Sequence, residues 1–194
     1  MRAERLGEES AALYRRLGNT RGVAHALTKL GLAAEQLGKL DQAERLHEES
    51  LQLHRGLGSR ANEVIALGNL GAVAHKRGNF DAALERYRQA LSDVDKIPTK
   101  AAIASTLENV GRTIAAAGDA RKAARIFGAA DSLRDAMGSP RFASEQADYE
   151  AASAAARTSI GADVFDAERR IGLTMTLQRV IEEVCGPGET AEVV

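Results

Sequence analysis

The residues able to do chemistry in this chain are few, and their spacing tests them severely. Gly31 and Gly38-Lys39 suggest a phosphate cradle, but six residues separate the glycines where a P-loop needs four. Leu40 also stands where a Ser or Thr would meet Mg²⁺. The pair reads better as a mid-helix packing glycine and a helix-stop glycine. His47-Glu48-Glu49-Ser50-Leu51 starts like a zinc-binding helix, yet Leu51 replaces the second histidine one turn on. His54 lies further along the same helix and could approach that face, whereas His25 and His75 fall on other segments. No Ser sits in a G-x-S-x-G elbow, and Cys185 has no neighbouring His to activate it. The adjacent acids Glu8-Glu9, Glu48-Glu49 and Glu182-Glu183 would point about 100° apart on a helix, too far to act as an acid and base pair. The sequence therefore predicts no enzyme, no metal site and no cofactor.

The elements that carry these residues repeat. Leu30-Gly31, Leu70-Gly71 and Val110-Gly111 are spaced by 40 residues, as are Gly38, Gly78 and Gly118, and Ala43, Ala83 and Ala123. Several columns at one period indicate stacked copies of one supersecondary unit. Each unit divides at its second glycine, followed by Asn79 or Asp119 in two of the copies, which predicts a helical hairpin. First helices are expected over Thr20 to Leu37, Arg60 to Arg77 and Lys100 to Ala117, and second helices over Leu40 to Leu57, Phe80 to Ile97 and Ala120 to Met137. A mid-helix glycine costs about 1 kcal/mol relative to Ala. Close approach of the partner helix at Ala43, Ala83 or Ala123 would offset that at Gly31, Gly71 and Gly111.

These units resemble tetratricopeptide repeats (TPR) in a 40-residue form. Leu70, Gly71, Ala83, Tyr87 and Ala90 meet the pattern, as do Val110, Gly111, Ala123, Phe127 and Ala130; the first full unit has Leu30, Gly31, Ala43, His47 and Ser50. His47 takes the aromatic slot, which implies packing, and Leu27, Leu67 and Leu107 replace the usual Trp. The resemblance implies an all-α fold, an α-α superhelix of TPR-like hairpins with a C-terminal helical cap. It also implies that first helices line an inner groove, with Lys29, Asn69 and Asn109 in one column and His75, Lys76 and Arg112 beside it. Asn can offer a donor and an acceptor to a peptide backbone, while Lys and Arg meet carboxylates. The expected ligand is a protein or peptide.

Organisation along the chain follows. Residues 1–18 match a second helix and form a half unit; full units cover about 20–58, 60–98 and 100–138; 139–186 reads as a helical cap and 187–194 as a disordered acidic tail. In the cap, helices are expected over Ala143 to Ser159, Asp163 to Ile171 and Leu177 to Cys185, with Thr176 as N-cap and Gly186 as stop. The half unit leaves one apolar face without its usual partner. Either the chain is cut from a longer array, the reading preferred here, or that face self-associates with another copy.

From Ala120 to Leu177 a second resemblance appears. Ala124-Arg125-Ile126-Phe127-Gly128-Ala129-Ala130, Leu133-Arg134, Gly138, Tyr149-Glu150, Gly161, Phe165, Gly172 and Thr176-Leu177 are similar to the C-terminal end of TPR-like regions in large actinobacterial LuxR-type or STAND ATPase transcriptional regulators. Arg169 departs from that pattern, which often has Trp there. The resemblance implies a sensing or scaffolding region of a signalling or transcriptional regulator, or alternatively a small-molecule-responsive switch for an attached ATPase or DNA-binding domain.

Composition bounds these readings. Aromatic residues make up 4% and Trp is absent, while 44% is hydrophobic, mostly Ala and Leu, which favours close-packed helices. With 26 basic and 27 acidic residues interleaved, the net charge of −1 offers no basic field for nucleic acid. Glu182 and Glu183 would repel phosphates if the last two helices posed as a DNA-reading pair. No apolar run approaches the roughly 20 residues that span a bilayer. A single cysteine and a charged opening segment point to the reducing cytoplasm.

Overall fold

The computed structural model describes residues 2–92, 100–141 and 143–186, with the side chains of 2–4, 143 and 144 outside the description. Ten α-helices account for the regular structure among these residues. They are α1 (Arg2–Arg16), α2 (Thr20–Gln36), α3 (Leu40–Gly56), α4 (Arg60–Lys76), α5 (Phe80–Leu91), α6 (Lys100–Ala116), α7 (Ala120–Met137), α8 (Ala143–Ile160), α9 (Ala162–Thr174) and α10 (Leu177–Cys185). The expected remainder of the fifth helix, to Ile97, and the expected tail at 187–194 lie outside the described residues.

The turns explain the register. Gly18, Gly38, Gly58, Gly78, Gly118 and Gly138 all have φ between 58° and 100°, the left-handed region that glycine enters without steric cost. At Gly38, Lys39 N donates to Ala34 O at 2.9 Å and Gly38 N donates to Glu35 O at 3.1 Å, which satisfies the last carbonyls of α2. The following helices are caught by side chains in several cases. Asn19 accepts from Gly22 N, Asn79 from Ala82 N, Asp119 from Lys122 N and Thr176 from Arg179 N.

The chain forms two compact units, Met1–Arg86 and Tyr87–Val194, with α5 running across the division. In the first, α2 packs on α1 and α3, and α3 on α4. Leu27, Leu51, Val64 and Leu67 are almost fully buried there. Ala34, Ala43 and Val73 form one cluster, so Ala43 packs on small apolar residues of α2 and α4.

The partner helix does approach Gly31 and Gly111 closely, and the contact is made by the ring one turn beyond Ala43 and Ala123. Gly31 lies under the His47 ring, whose Nδ1 would stand 2.7 Å from an added Cβ. Gly111 lies under the Phe127 ring in the same way, with Cε1 at 2.7 Å. The aromatic slot one turn further on projects its ring onto the glycine, whereas an alanine methyl is too short to fill that space.

In the second unit α7 is the centre, packed against α6, α8 and α9. Its contact with α9 is backbone to backbone. A Cβ on Gly172 would run into the carbonyl oxygen of Arg125, and one on Gly128 into that of Arg169. The two glycines let the helices touch with nothing between them. On α10, Val180, Ile181 and Val184 are buried, and Arg88 donates to Val184 O at 3.1 Å.

Candidate functional site

Four of the expected groove residues fall in the first unit. Lys29 is exposed on α2, and Asn69 is half-buried on α4 with an Nδ2 that is fully buried and has no hydrogen-bond partner among the described residues. His75 is half-buried near the end of α4, its ring 5.6 Å from that of Phe80. Lys76 is exposed and binds Glu35 at 2.7 Å, so its charge is already matched.

The remaining two lie in the second unit, on α6. Arg112 donates to Asn109 Oδ1 at 3.2 Å and to Asp148 of α8 at 2.9 Å. These side chains thus satisfy one another, and α8 holds Arg112 in place.

Buried histidines are prominent in the first unit. His47 is 0% exposed, with neither ring nitrogen hydrogen-bonded among the described residues. Burial lowers its pKa from 6.5 to about 4. Glu35 lies 3.9 Å away but is tied to Lys76, and desolvation prevails. His54, 1% exposed, also has its pKa lowered, first by burial and then by His25, whose ring centroid is 5.4 Å away. Both rings are neutral packing groups at pH 7. Among the described residues no cluster of three or more His, Cys, Asp or Glu side chains is arranged to hold a metal ion.

The second unit contains a polar network that sequence reasoning missed. Arg134 grips Glu108 through two contacts of 2.7 and 3.0 Å, with both residues at most 6% exposed, and also donates to Ser105 Oγ at 2.8 Å. Arg141 lies 2.8 Å from Glu108, contacts Asp131, and stacks over Tyr149 at 3.7 Å from the ring centroid. Tyr149 Oη donates to Asp131 at 2.8 Å, and Arg169 binds the same carboxylate at 2.6 Å. Burial, and then the Asp131 carboxylate, raise the Tyr149 pKa. Arg169 is thus paired with a carboxylate. The only sequence signal was a pair of carboxylates, Glu108 and Asp131, on otherwise apolar helix faces.

The polar strips are thus set on first helices, in an all-α array of stacked hairpins, the class of architecture that presents extended binding surfaces. Tetratricopeptide-repeat family models match residues 23–57 and 62–130, together more than half of the chain. The chain is a tetratricopeptide-repeat protein. Such repeats generally mediate protein–protein interaction and the family is typically non-enzymatic. Among curated proteins, none matches the chain. No helix among the described residues is long and apolar enough to cross a membrane.

Proposed function

We propose that the chain is a protein- or peptide-binding module of the cytoplasm, serving as the sensing or scaffolding part of a larger signalling or transcriptional regulator. The hairpins through Gly138 form the recognising array and 139–186 its cap. One observation carries the binding reading: Asn69 Nδ2 is a buried donor without a partner. A buried unmatched amide is costly, and rotation of the half-buried Asn69 side chain towards solvent would let a peptide carbonyl satisfy it. Lys29, on the other first helix of the same unit, offers an exposed cation for an acidic side chain or terminus. The regulatory part rests on the resemblance of Ala120 to Leu177 to the ends of such arrays in regulators. In that reading the module needs no cofactor and does not itself contact nucleic acid.

The test is selection of binders from a random peptide library against the whole chain, followed by affinity measurement with Asn69→Ala. A loss of roughly tenfold, one buried hydrogen bond, supports the reading. An unchanged affinity refutes it.

A second reading, a small-molecule-responsive switch, draws on a cavity of about 550 Å³ lined by Arg125, Ile171, Met175, Arg179, Glu182 and Glu183. That volume suits a metabolite. Ligand-dependent thermal stabilisation of the isolated chain by a metabolite library would favour it over the peptide reading.

A further inference from the structure

Two ion pairs and two apolar side chains wall the cavity that α7, α9 and α10 enclose in the second unit. The pairs differ in strength. Arg125 Nε donates to Glu183 at 2.9 Å and its Nη1 to Glu168 at 2.9 Å, and the three side chains are at most 31% exposed. The Arg179 guanidinium makes one ion pair among the described residues, to Glu182 at 3.2 Å, and its side chain is 71% exposed. An exposed pair of this kind contributes little to stability, so it opens to a ligand at small cost. The first pair is a fixed wall; the second offers exchangeable charges.

The placement of these groups follows from the helices. At 100° per residue, Arg179, Glu182 and Glu183 fall within about 100° of one another on α10, while Val180, Ile181 and Val184 take the opposite, buried side. Ile171 and Met175 stand one turn apart at the end of α9, and Ile171 is 50% exposed. The cavity thus has a charged side of two arginines against two glutamates and an apolar side. A simple anion would be attracted by the arginines and repelled by the glutamates, and a simple cation the reverse. A molecule that carries both charges close together, beside an apolar group, matches every wall.

We propose that this cavity binds a free α-amino acid with an apolar side chain, an inference that rests on the reading of the chain as a small-molecule-responsive switch. The ligand's carboxylate takes Arg179, its ammonium takes Glu182, and its side chain covers Ile171 and Met175. The opposite charges of Arg179 and Glu182 stand 3.2 Å apart, and a single carbon separates the ammonium from the carboxylate in an α-amino acid. The termini of a dipeptide lie a whole peptide unit further apart. Met175 also borders a second cavity of about 130 Å³, an apolar one against Leu107, Leu133 and Val180. Its unbranched thioether has room to shift there, so the site selects for apolar character more than for size.

Calorimetric titration of the whole chain with leucine, methionine and phenylalanine tests this. The expected result is binding of all three, with dissociation constants on the order of 100 μM. N-acetylleucine, which lacks the ammonium, and leucinamide, which lacks the carboxylate, should each bind roughly tenfold more weakly or worse. Arg179→Gln and Ile171→Ser, both at exposed positions, should each weaken leucine binding by roughly tenfold while the helical circular dichroism signal is unchanged. No binding of any of the three, equal binding of N-acetylleucine, or leucine binding indifferent to both substitutions overturns the proposal. A metabolite screen on the same chain separates it from the switch reading. A different ligand whose thermal stabilisation is lost in Arg179→Gln keeps the cavity as a switch and overturns the amino acid; no ligand at all overturns both.

Discussion

The two units carry related hairpins in one register, yet they treat buried polar groups in opposite ways. In the first, the slots at 47 and 54 hold neutral histidines, with both ring nitrogens of His47 and Nδ1 of His54 left unpaired. In the second, the equivalent slots hold Phe127 and Arg134, and the arginine is matched by Glu108. The contrast extends to the polar strips. Asn69 keeps a buried donor unpaired, while Arg112 donates to both Asn109 and Asp148. The second unit commits most of its buried polar groups to internal pairs, with Arg141 Nε and Glu145 Oε2 left without a hydrogen bond; the first leaves the amide of Asn69 and those histidine ring nitrogens unpaired. Unpaired groups cost stability and are the groups a ligand can reward.

The largest effect is expected from breaking the ionic side of the comparison. Arg134→Met leaves Glu108 buried with Arg141 as its one remaining cation among the described residues and should cost about 3 kcal/mol in thermal or denaturant unfolding. Adding Glu108→Leu should recover most of that loss, since a buried pair replaced by apolar groups is often neutral.

Acidification acts on the other side. The folded-state pKa of His47 lies near 4 against an ordinary 6.5, so the unfolded chain binds the proton more readily between those values. The stability is complete above pH 6.5 and falls as the pH drops towards 4, by on the order of 3 kcal/mol. Hydrogen exchange should show the loss in α2 and α3 first. His47→Phe, the residue type found at Phe127, should flatten most of this slope.

A smaller effect distinguishes how glycines are used. Gly172→Ala meets the backbone of α7 and should cost about 1–3 kcal/mol in thermal unfolding. Gly31→Ala meets the His47 side chain, which can shift, and should cost less.

What could be read from the sequence follows from where each signal is written. Turn glycines such as Gly38 and Gly118 and caps such as Asp119 and Thr176 act within a few residues, so the helix starts and stops were legible. The close approach of α3 to Gly31 was legible from the spacing, but not that the His47 ring makes the contact, because spacing gives the neighbouring helix and not the reach of a side chain. Gly128 and Gly172 were visible as glycines, but their contact joins helices 44 positions apart in sequence. The gathering of Arg141, Tyr149 and Arg169 on Asp131 likewise depends on how α7, α8 and α9 pack. Pairing also decided which strip residues are committed, and Lys76 with Glu35 or Arg112 with Asp148 could not be read from residue type.

The most direct measurement compares Asn69→Ala with Asn109→Ala for one peptide selected on the whole chain, by fluorescence anisotropy or calorimetry. Because Asn69 holds the unmatched donor and Asn109 is already engaged, affinity should fall roughly tenfold for the first and change by less than about twofold for the second. Equal losses, or a larger loss at Asn109, would contradict the claim that the unpaired polar groups of the first unit are the ones that bind.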